Sequence, residues 1–339
     1  MLDIPLASSL GVMTLMSVKG VGGVTVEKAI ARFATLGEVH AASPEACKGA
    51  LNAAVAATLR DRAVLDAAWD AARRESDTAA AEGVALLTPF DAAYPERLRD
   101  APDRPLVLYA AGDISTLDRS VACVGTRDPT PFGDIACRRI GAALAEAGWC
   151  IVSGLARGID HAAHETALAC GAPTVAVVAS GLDAMGSERQ RDLARRILDG
   201  GGALLSEQPF GREADSGTLV RRNRIQSGVS VATFVMQSRR DGGTMQTARY
   251  ALTQGRPIYA PVPPGRHATE EASEGLLLLL EGDGPALAAA IGAGKAFTQL
   301  ATENWSGRPV ASPVAGRDDY PRVLSEIEDL LQPPARPSP

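Results

Sequence analysis

The sequence predicts an α/β protein: a doubly wound, mostly parallel sheet preceded by an N-terminal helical module. Three observations carry that expectation. From Val121 onward, short apolar runs alternate with stretches of helical periodicity. Nearly every run ends in glycine or a small polar residue, which suits the turn from a strand into a helix. Residues 1–84 carry apolar positions at helical spacing and no strand-like run.

Along the chain, the helical module (1–84) is clearest over Val26–Phe33 and Ala53–Arg74. Within it lies Val18-Lys19-Gly20-Val21-Gly22. Such a turn lets a helix-hairpin-helix module offer backbone N–H groups to a DNA phosphate, and it also suits any helix pair that needs glycine for its geometry. From Val84 to Gly112 the composition shifts. Tyr94-Pro95-Glu96-Arg97-Leu98, Pro102 and Pro105 lead into a short strand at Leu106–Tyr109, so residues 85–118 read as a connecting segment and the start of the sheet. Strands follow at Val121–Val124, Cys150–Ser153, Thr174–Ala179, Ala203–Ser206, Val231–Met236 and Pro257–Val262. Helices are expected between them at Ile135–Ala147, Asp160–Ala169, Arg189–Leu198 and Thr244–Gln254, making 119–292 one α/β domain. Residues 293–339 turn polar and proline-rich. A mostly irregular tail is expected there, with one helix over Tyr320–Leu331 and a disordered end at Pro333–Pro339.

Composition narrows the function. The chain has 339 residues, 34 Lys+Arg against 40 Asp+Glu, a formal net charge of -6 and 4% aromatic residues. Net acidity argues against a histone-like coat for nucleic acid, and few aromatics argue against a long stacking platform. The acidity is uneven: Arg119–Gly265 holds 17 arginines, no lysine and 13 acidic residues, a local charge of +4 against -10 for the rest. Any DNA on this chain is therefore expected to be held mainly by its phosphates. No apolar run approaches the roughly 18 residues of a membrane span, and no basic region precedes an apolar stretch at the N-terminus as in a secretory signal. Five cysteines without C-x-x-C spacing read as a reduced, cytoplasmic protein lacking a structural zinc.

Ligands of open α/β sheets sit beyond the carboxyl ends of the strands. The loops expected there carry Gly125, Thr126 and Arg127; Ser153, Gly154, Arg157 and Gly158; Ser180 and Gly181; and Gly242, Gly243 and Thr244. Glycines allow close backbone approach, and the helices that follow offer N–H groups and a positive dipole end. The arginine cluster Arg221, Arg222 and Arg224, with Asn223 inside it, adds planar forks suited to phosphate. Together these residues predict a site for an anionic, phosphate-bearing ligand. Neither G-x-G-x-x-G nor G-x-x-x-x-G-K-[ST] is present, so neither a dinucleotide cofactor nor Walker-type hydrolysis is indicated, and no cofactor is expected.

The residues from Val121 to Gly265 resemble the DNA-processing DprA/Smf family. Gly125–Gly133 matches its G-[ST]-R-x-P-[ST]-x-[YF]-G motif, and Ser153–His164 matches S-G-x-A-x-G-I-D-x-x-A-H. Ala179–Asp183 parallels G-S-G-L-D, Leu204–Gly211 parallels L-L-S-E-x-P-x-G, and Arg222–Ile225 is the family's R-N-R-I. A preceding Y-P-x-x-L is Tyr94–Leu98, and the helical module, of helix-hairpin-helix or SAM-like type, fits the family's usual prelude. The resemblance implies an extended Rossmann-like fold and a homodimer that binds single-stranded DNA and passes it to a RecA-type recombinase during transformation. It places Arg127, Arg157 and Arg222–Arg224 on phosphates, with Ser153, Gly154, Gly181, Gly243 and Thr244 supplying close contacts. It requires no catalytic residue.

The chain also departs from the family. After Gly181-Leu182-Asp183 it reads Ala184-Met185-Gly186-Ser187-Glu188-Arg189 where the family has Y-P-x-x-N. Leu219-Val220 replaces F-P, the rim of the Asp241–Ala248 loop is altered, and no C-terminal winged helix is expected. These changes leave open a second role: a regulator, antitoxin or nucleotide sensor in an anti-phage defence or toxin–antitoxin module, with a cognate toxin as partner. His161 and His164 stand three apart on a helix that Asp160 is expected to cap, without an evident third ligand, so no metal site is expected. Glu207 ends a strand and could act as a general base. The Gly242–Thr247 loop, however, lacks the glutamate of related phosphoribohydrolases, so Glu207 reads better as an acceptor for loop N–H groups or an arginine, and the protein reads as a non-enzyme.

Overall fold

The computed structural model describes residues 2–331. Helices α1 (Ser9–Met16), α2 (Gly23–Ile30), α3 (Leu36–Ala41), α4 (Pro44–Cys47), α5 (Ala53–Arg60) and α6 (Arg62–Ala81) come first. Most begin where the sequence supplies a capping oxygen. Ser8 accepts from the Gly11 N–H, Thr35 from Glu38, Ser43 from Ala46 and Asn52 from Val55. The single stretch expected over Ala53–Arg74 is two helices. Asp61 leaves helical geometry (φ -73°, ψ 110°) and its carboxylate accepts from the Ala63 and Val64 N–H groups, closing α5 and starting α6.

Nine strands form one sheet: β1 (Ala85–Leu87), β2 (Leu108–Gly112), β3 (Ser120–Gly125), β4 (Cys150–Ser153), β5 (Thr174–Val177), β6 (Ala203–Ser206), β7 (Thr233–Gln237), β8 (Ile258–Pro261) and β9 (Ala311–Val314). Their order is β1-β2-β6-β5-β4-β3-β7-β8-β9, parallel from β6 through β9, with β1 and β2 antiparallel at one end. The intervening helices are α7 (Glu96–Arg99), α8 (Pro131–Glu146), α9 (Ile159–Ala169), α10 (Glu188–Asp199), α11 (Ser216–Val229), α12 (Gly243–Thr253), α13 (Glu274–Glu281), α14 (Gly284–Ala290), α15 (Lys295–Trp305) and α16 (Tyr320–Asp329). The architecture is the doubly wound α/β class the sequence predicts.

The period-two alternation of each strand assigns the helices to faces. Val121 and Cys123 of β3 pack with α8, α9 and α16, while Ala122 and Val124 pack with α12 to α15. Registers Val121↔Ile151 and Ile151↔Thr174 carry the two faces across the sheet. On the first face Ala176 and Leu204 meet α10 and the N-terminal helices; on the second Val175 and Leu205 meet Ile225 and Val229 of α11. The chain thus changes face after β6, and β7 pairs with β3 on the side opposite β4. That reversal opens a crevice at the strand ends.

Residues 293–331 are not the mostly irregular tail expected from composition. They contain α15, the edge strand β9 and α16, whose Val323 and Ile327 are buried against the sheet. The β9 sequence Ala-Ser-Pro-Val has weak strand propensity, and its proline is tolerated because the strand is an edge. Pairing with β8 and burial of Ala311 and Val314 supply what local propensity lacks. The Pro333–Pro339 tail lies outside the described residues. Among the described residues, no helix is long and apolar enough to cross a membrane.

The helical module is fastened to the sheet by polar as well as apolar contacts. The Glu75 carboxylate on α6 accepts from Tyr109 OH (2.9 Å) and from the Phe210 N–H (2.8 Å), and Arg104 pairs with Glu27 (2.6 Å). Because Glu75→Ala strands two donors at this seam, urea unfolding should show a loss of about 1–3 kcal/mol. Glu45→Ala, on an exposed helix, should change stability by less than about 0.5 kcal/mol.

Candidate nucleic-acid interface

Backbone hydrogen bonds fix the loop after β3. The Thr126 N–H donates to Gln237 O (2.8 Å), and Thr126 O accepts from the Ile159 N–H (3.1 Å). The buried Gln237 side chain clamps the start of α8: Oε1 accepts from the Thr130 N–H (2.9 Å), and Nε2 donates to Thr130 Oγ1 (2.9 Å) and Ser273 Oγ (3.1 Å). Gly158 (φ +81°) allows the next loop to close in, since a Cβ there would lie 2.5 Å from the Thr126 and Arg127 carbonyl oxygens. These contacts hold Arg127 at the mouth of the crevice, exposed and without an ion-pair partner among the described residues.

The crevice between the ends of β3 and β7 measures about 450 Å³. Gly125, Thr126 and Arg127 line one side, and Gly242, Gly243 and Thr244 line the other. Gly242 caps α12 without a side-chain acceptor, so the N–H groups of Gly243 and Thr244 have no acceptor among the described residues. Their dipole end favours an anion opposite Arg127.

The third wall is α11, whose start is fixed by a reciprocal capping box between Asp215 and Thr218 (2.8 and 2.9 Å). Leu219, Arg222, Asn223 and Gln226 recur at i, i+3, i+4 and i+7, one stripe facing the crevice. The expected cluster is therefore divided. Arg222 and Asn223 reach the site. Arg221 is exposed but lines neither cavity, and Arg224 is turned away. Its guanidinium makes a bidentate pair with Glu207 (2.8 and 2.6 Å) and donates Nε–H to Asp103 O (2.6 Å), with both charged side chains about one-tenth exposed. Arg224 is a structural cation, and Glu207 is its acceptor.

A second cavity, about 550 Å³, shares Arg127, Ala156, Leu219 and Arg222 with the crevice. Gly154 and Arg157 line it, Arg157 paired with Asp128 (3.0 Å). A Cβ on Gly154 would collide with the Arg222 guanidinium, so glycine is required for that side chain to lie in the wall. Ser153 and Ser180 are used internally. The Ser153 hydroxyl donates to Cys123 O (2.6 Å), and Ser180 donates to Gly181 O (3.0 Å). Gly181 joins the β5 and β6 loops through its N–H to Arg212 O (2.8 Å), and neither it nor Ser180 lines a cavity. At the α1–α2 turn, Gly20 takes φ +86° and Gly22 starts α2, leaving Lys19, Gly22 and Val24 exposed.

Gly158, not Asp160, caps α9. Asp160 sits in the first turn, buried at the crevice wall. Burial pushes its carboxyl up, opposed by the Arg222 guanidinium, the Ala156 N–H and the Arg127 guanidinium. Asp160, Leu219 and Gln226 are site residues not picked out from sequence. Continuing the helical period through Arg222 finds the last two. His164 is buried and pushed down to about 3 by burial and neighbouring positive charge. Thr174 donates its hydroxyl to Ile151 O (2.6 Å) and so accepts from His164 Nδ1–H (2.7 Å), which leaves Nε2 without a partner for a proton. No group of three or more potential metal ligands lies together among the described residues.

Comparison with known proteins matches residues 85–290 to the family model for DNA recombination-mediator protein A. Protein Smf of Synechocystis sp. is 38% identical over 180 residues, 52% of this chain and 45% of that protein. Protein Smf of Escherichia coli is 38% identical over 187 residues (54% and 50%), and the DNA processing protein DprA of Bacillus subtilis 34% over 181 (53% and 61%). The chain thus matches about half the length of these curated relatives. Among solved structures, DNA processing protein A from Streptococcus pneumoniae aligns with TM-score 0.62 at 24% identity, over 94% of this chain and 98% of that one. DNA processing protein A from Helicobacter pylori, described for its single-stranded DNA binding mode, aligns with TM-score 0.56 at 24% identity, over 72% and 96%. Both likenesses support the fold.

Two measurements follow from the geometry. Arg224→Ala leaves Glu207 buried without its cation and should cost about 3–5 kcal/mol in chemical denaturation, whereas Arg127→Ala should stay within about 0.5 kcal/mol of wild type. For His164, folding depresses the pKa to about 3, so between about pH 6.5 and pH 3 the unfolded chain binds the extra proton and stability falls with falling pH. The slope is about 1.4 kcal/mol per pH unit, so His164→Asn should lose less stability than wild type between pH 6.5 and 4.5. The raised pKa of Asp160 acts in the opposite direction and is common to both proteins.

Proposed function

The chain belongs to the DNA recombination-mediator protein A family, and from that premise we propose that it binds single-stranded DNA by its phosphates across the crevice between β3 and β7. One observation carries the reading: the unpaired Arg127 guanidinium faces the uncapped N-terminus of α12 across a crevice whose third wall holds Arg222. Both sides offer donors to an anion, and neither reads a base edge, so recognition is sequence-tolerant. Glu207, the carboxylate that could serve as a base, is bound to Arg224 and lines neither cavity, which supports binding without chemistry. The strand so held is presented by a dimer to a RecA-type recombinase, in line with the family's role as recombination mediators.

A second reading, a sensor of a small nucleotide derivative in a defence or toxin–antitoxin module, draws on cavities of single-nucleotide size. A thermal-shift screen separates it, since a specific ligand raises the melting temperature by mass action. For the first reading, fluorescence anisotropy with a labelled oligothymidylate should show binding at low salt that weakens as salt rises. Arg127→Ala should bind about tenfold more weakly, with the slope of log K against log salt less negative by about 0.7. Wild-type protein that leaves the oligonucleotide unbound at low salt overturns this function.

A further inference from the structure

We propose that the floor of the crevice between β3 and β7 takes a terminal phosphomonoester, so that the protein prefers a single strand carrying a phosphate on its end. The proposal rests on the crevice being a phosphate site. The crevice runs from an exposed rim, at Arg127, Val220 and Gly243, to a buried floor. Gln226, Ser238 and Thr247 form that floor, each at most 2% exposed.

The floor carries donors that the fold leaves unused. Gln226 belongs to the α11 stripe that faces the crevice, and its Nε2 is buried without a hydrogen-bond partner among the described residues. An amide donor buried in this way is unfavourable unless something accepts from it. On the facing helix α12, Thr247 stands one turn below Thr244, and neither hydroxyl has a hydrogen-bond partner among the described residues. Above them, the Gly243 and Thr244 N–H groups form the positive end of that helix. The Asp160 carboxyl, also in the wall, is engaged by the Arg222 guanidinium and the Ala156 N–H, so it does not close the floor to an anion.

Donors on two helices converging at a buried floor select the ligand. Within a strand, a phosphodiester presents two non-bridging oxygens and leads a sugar away on either side. Such a group fits at the rim beside Arg127, where both arms have room. A group that reaches Gln226 and Thr247 has to enter tip-first, and only the end of a strand does so. At about 450 Å³ the crevice has room for a terminal nucleotide, not for a length of strand. A phosphomonoester brings a third free oxygen and further charge, enough acceptors for the donors of α11 and α12 together. A hydroxyl end would leave most of these donors unmatched. A 5′-phosphate, a 3′-phosphate and a free nucleoside monophosphate share this chemistry.

The test is anisotropy titration at low salt with internally labelled oligothymidylates of one length. They end in a 5′-phosphate, in a 3′-phosphate, or in hydroxyls at both ends. In wild type, one phosphorylated strand should bind about five- to tenfold more tightly than the hydroxyl strand, and which one identifies the end that enters. Gln226→Leu, of similar volume, should bring the ratio of these affinities to within about twofold. Thr247→Val, which removes a hydroxyl and keeps the shape, should also lower the ratio, and it decides the matter if Gln226→Leu does not fold. If wild type binds all three strands alike while Arg127→Ala weakens them, the terminal site is refuted and the crevice reading stands. A preference that persists in both variants places the strand end elsewhere and refutes it too. Displacement of the strand by thymidine 5′-monophosphate at concentrations no higher than the strand's own would make a free nucleotide the ligand and overturn the strand-end assignment. If wild type binds no oligonucleotide, the crevice reading fails and this inference fails with it.

Discussion

Arg222 on α11 is almost fully buried at the point where four elements meet. It donates to Val177 O at the end of β5, stands close to the Asp160 carboxyl on α9, and occupies space that only a glycine at 154, after β4, leaves free. A buried guanidinium costs several kcal/mol unless a carboxylate and carbonyls receive it. The positions of α9, α11 and both strand ends are therefore tied to one another through this side chain. The two cavities exist as separate spaces because Arg222, with Ala156 and Leu219, forms the wall between them.

Charge in the site is set by what remains unpaired. Around the sheet, Arg138 pairs with Asp134, Arg196 with Glu165, Arg212 with Asp215, and Arg239 with Asp241 and Glu271. Arg224 is neutralised inside the protein by Glu207. Arg127 and Arg189, both without such a partner among the described residues, line the cavities. A chain of net charge -6 can thus present a local field suited to phosphate without a basic surface as a whole.

The four R-N-R-type positions show where reading a sequence works and where it stops. Motif spacing picks out the cluster Arg221–Arg224 as a unit, and the structure gives its members different surroundings. A helix turns by about 100° per residue, so adjacent side chains point to different neighbours. Arg222 and Asn223 enter the crevice, Arg224 is drawn to Glu207, and Arg221 faces outward. Ser153 and Ser180 illustrate the same limit: small polar residues at strand ends suit a ligand or a neighbouring carbonyl equally, and here carbonyls take both hydroxyls.

The α/β class, most strand and helix positions from Val121 to Val262, the strand-end loops and the family are legible in the residues alone. Those features are written in local periodicity and short motifs. Tertiary structure decided the rest. It recruited β9 and α16 to the sheet through pairing and burial that local propensity does not encode, and it split α5 from α6 at Asp61. It also chose which arginines line the cavities, because that depends on which carboxylates and carbonyls long-range folding brings within reach of each guanidinium.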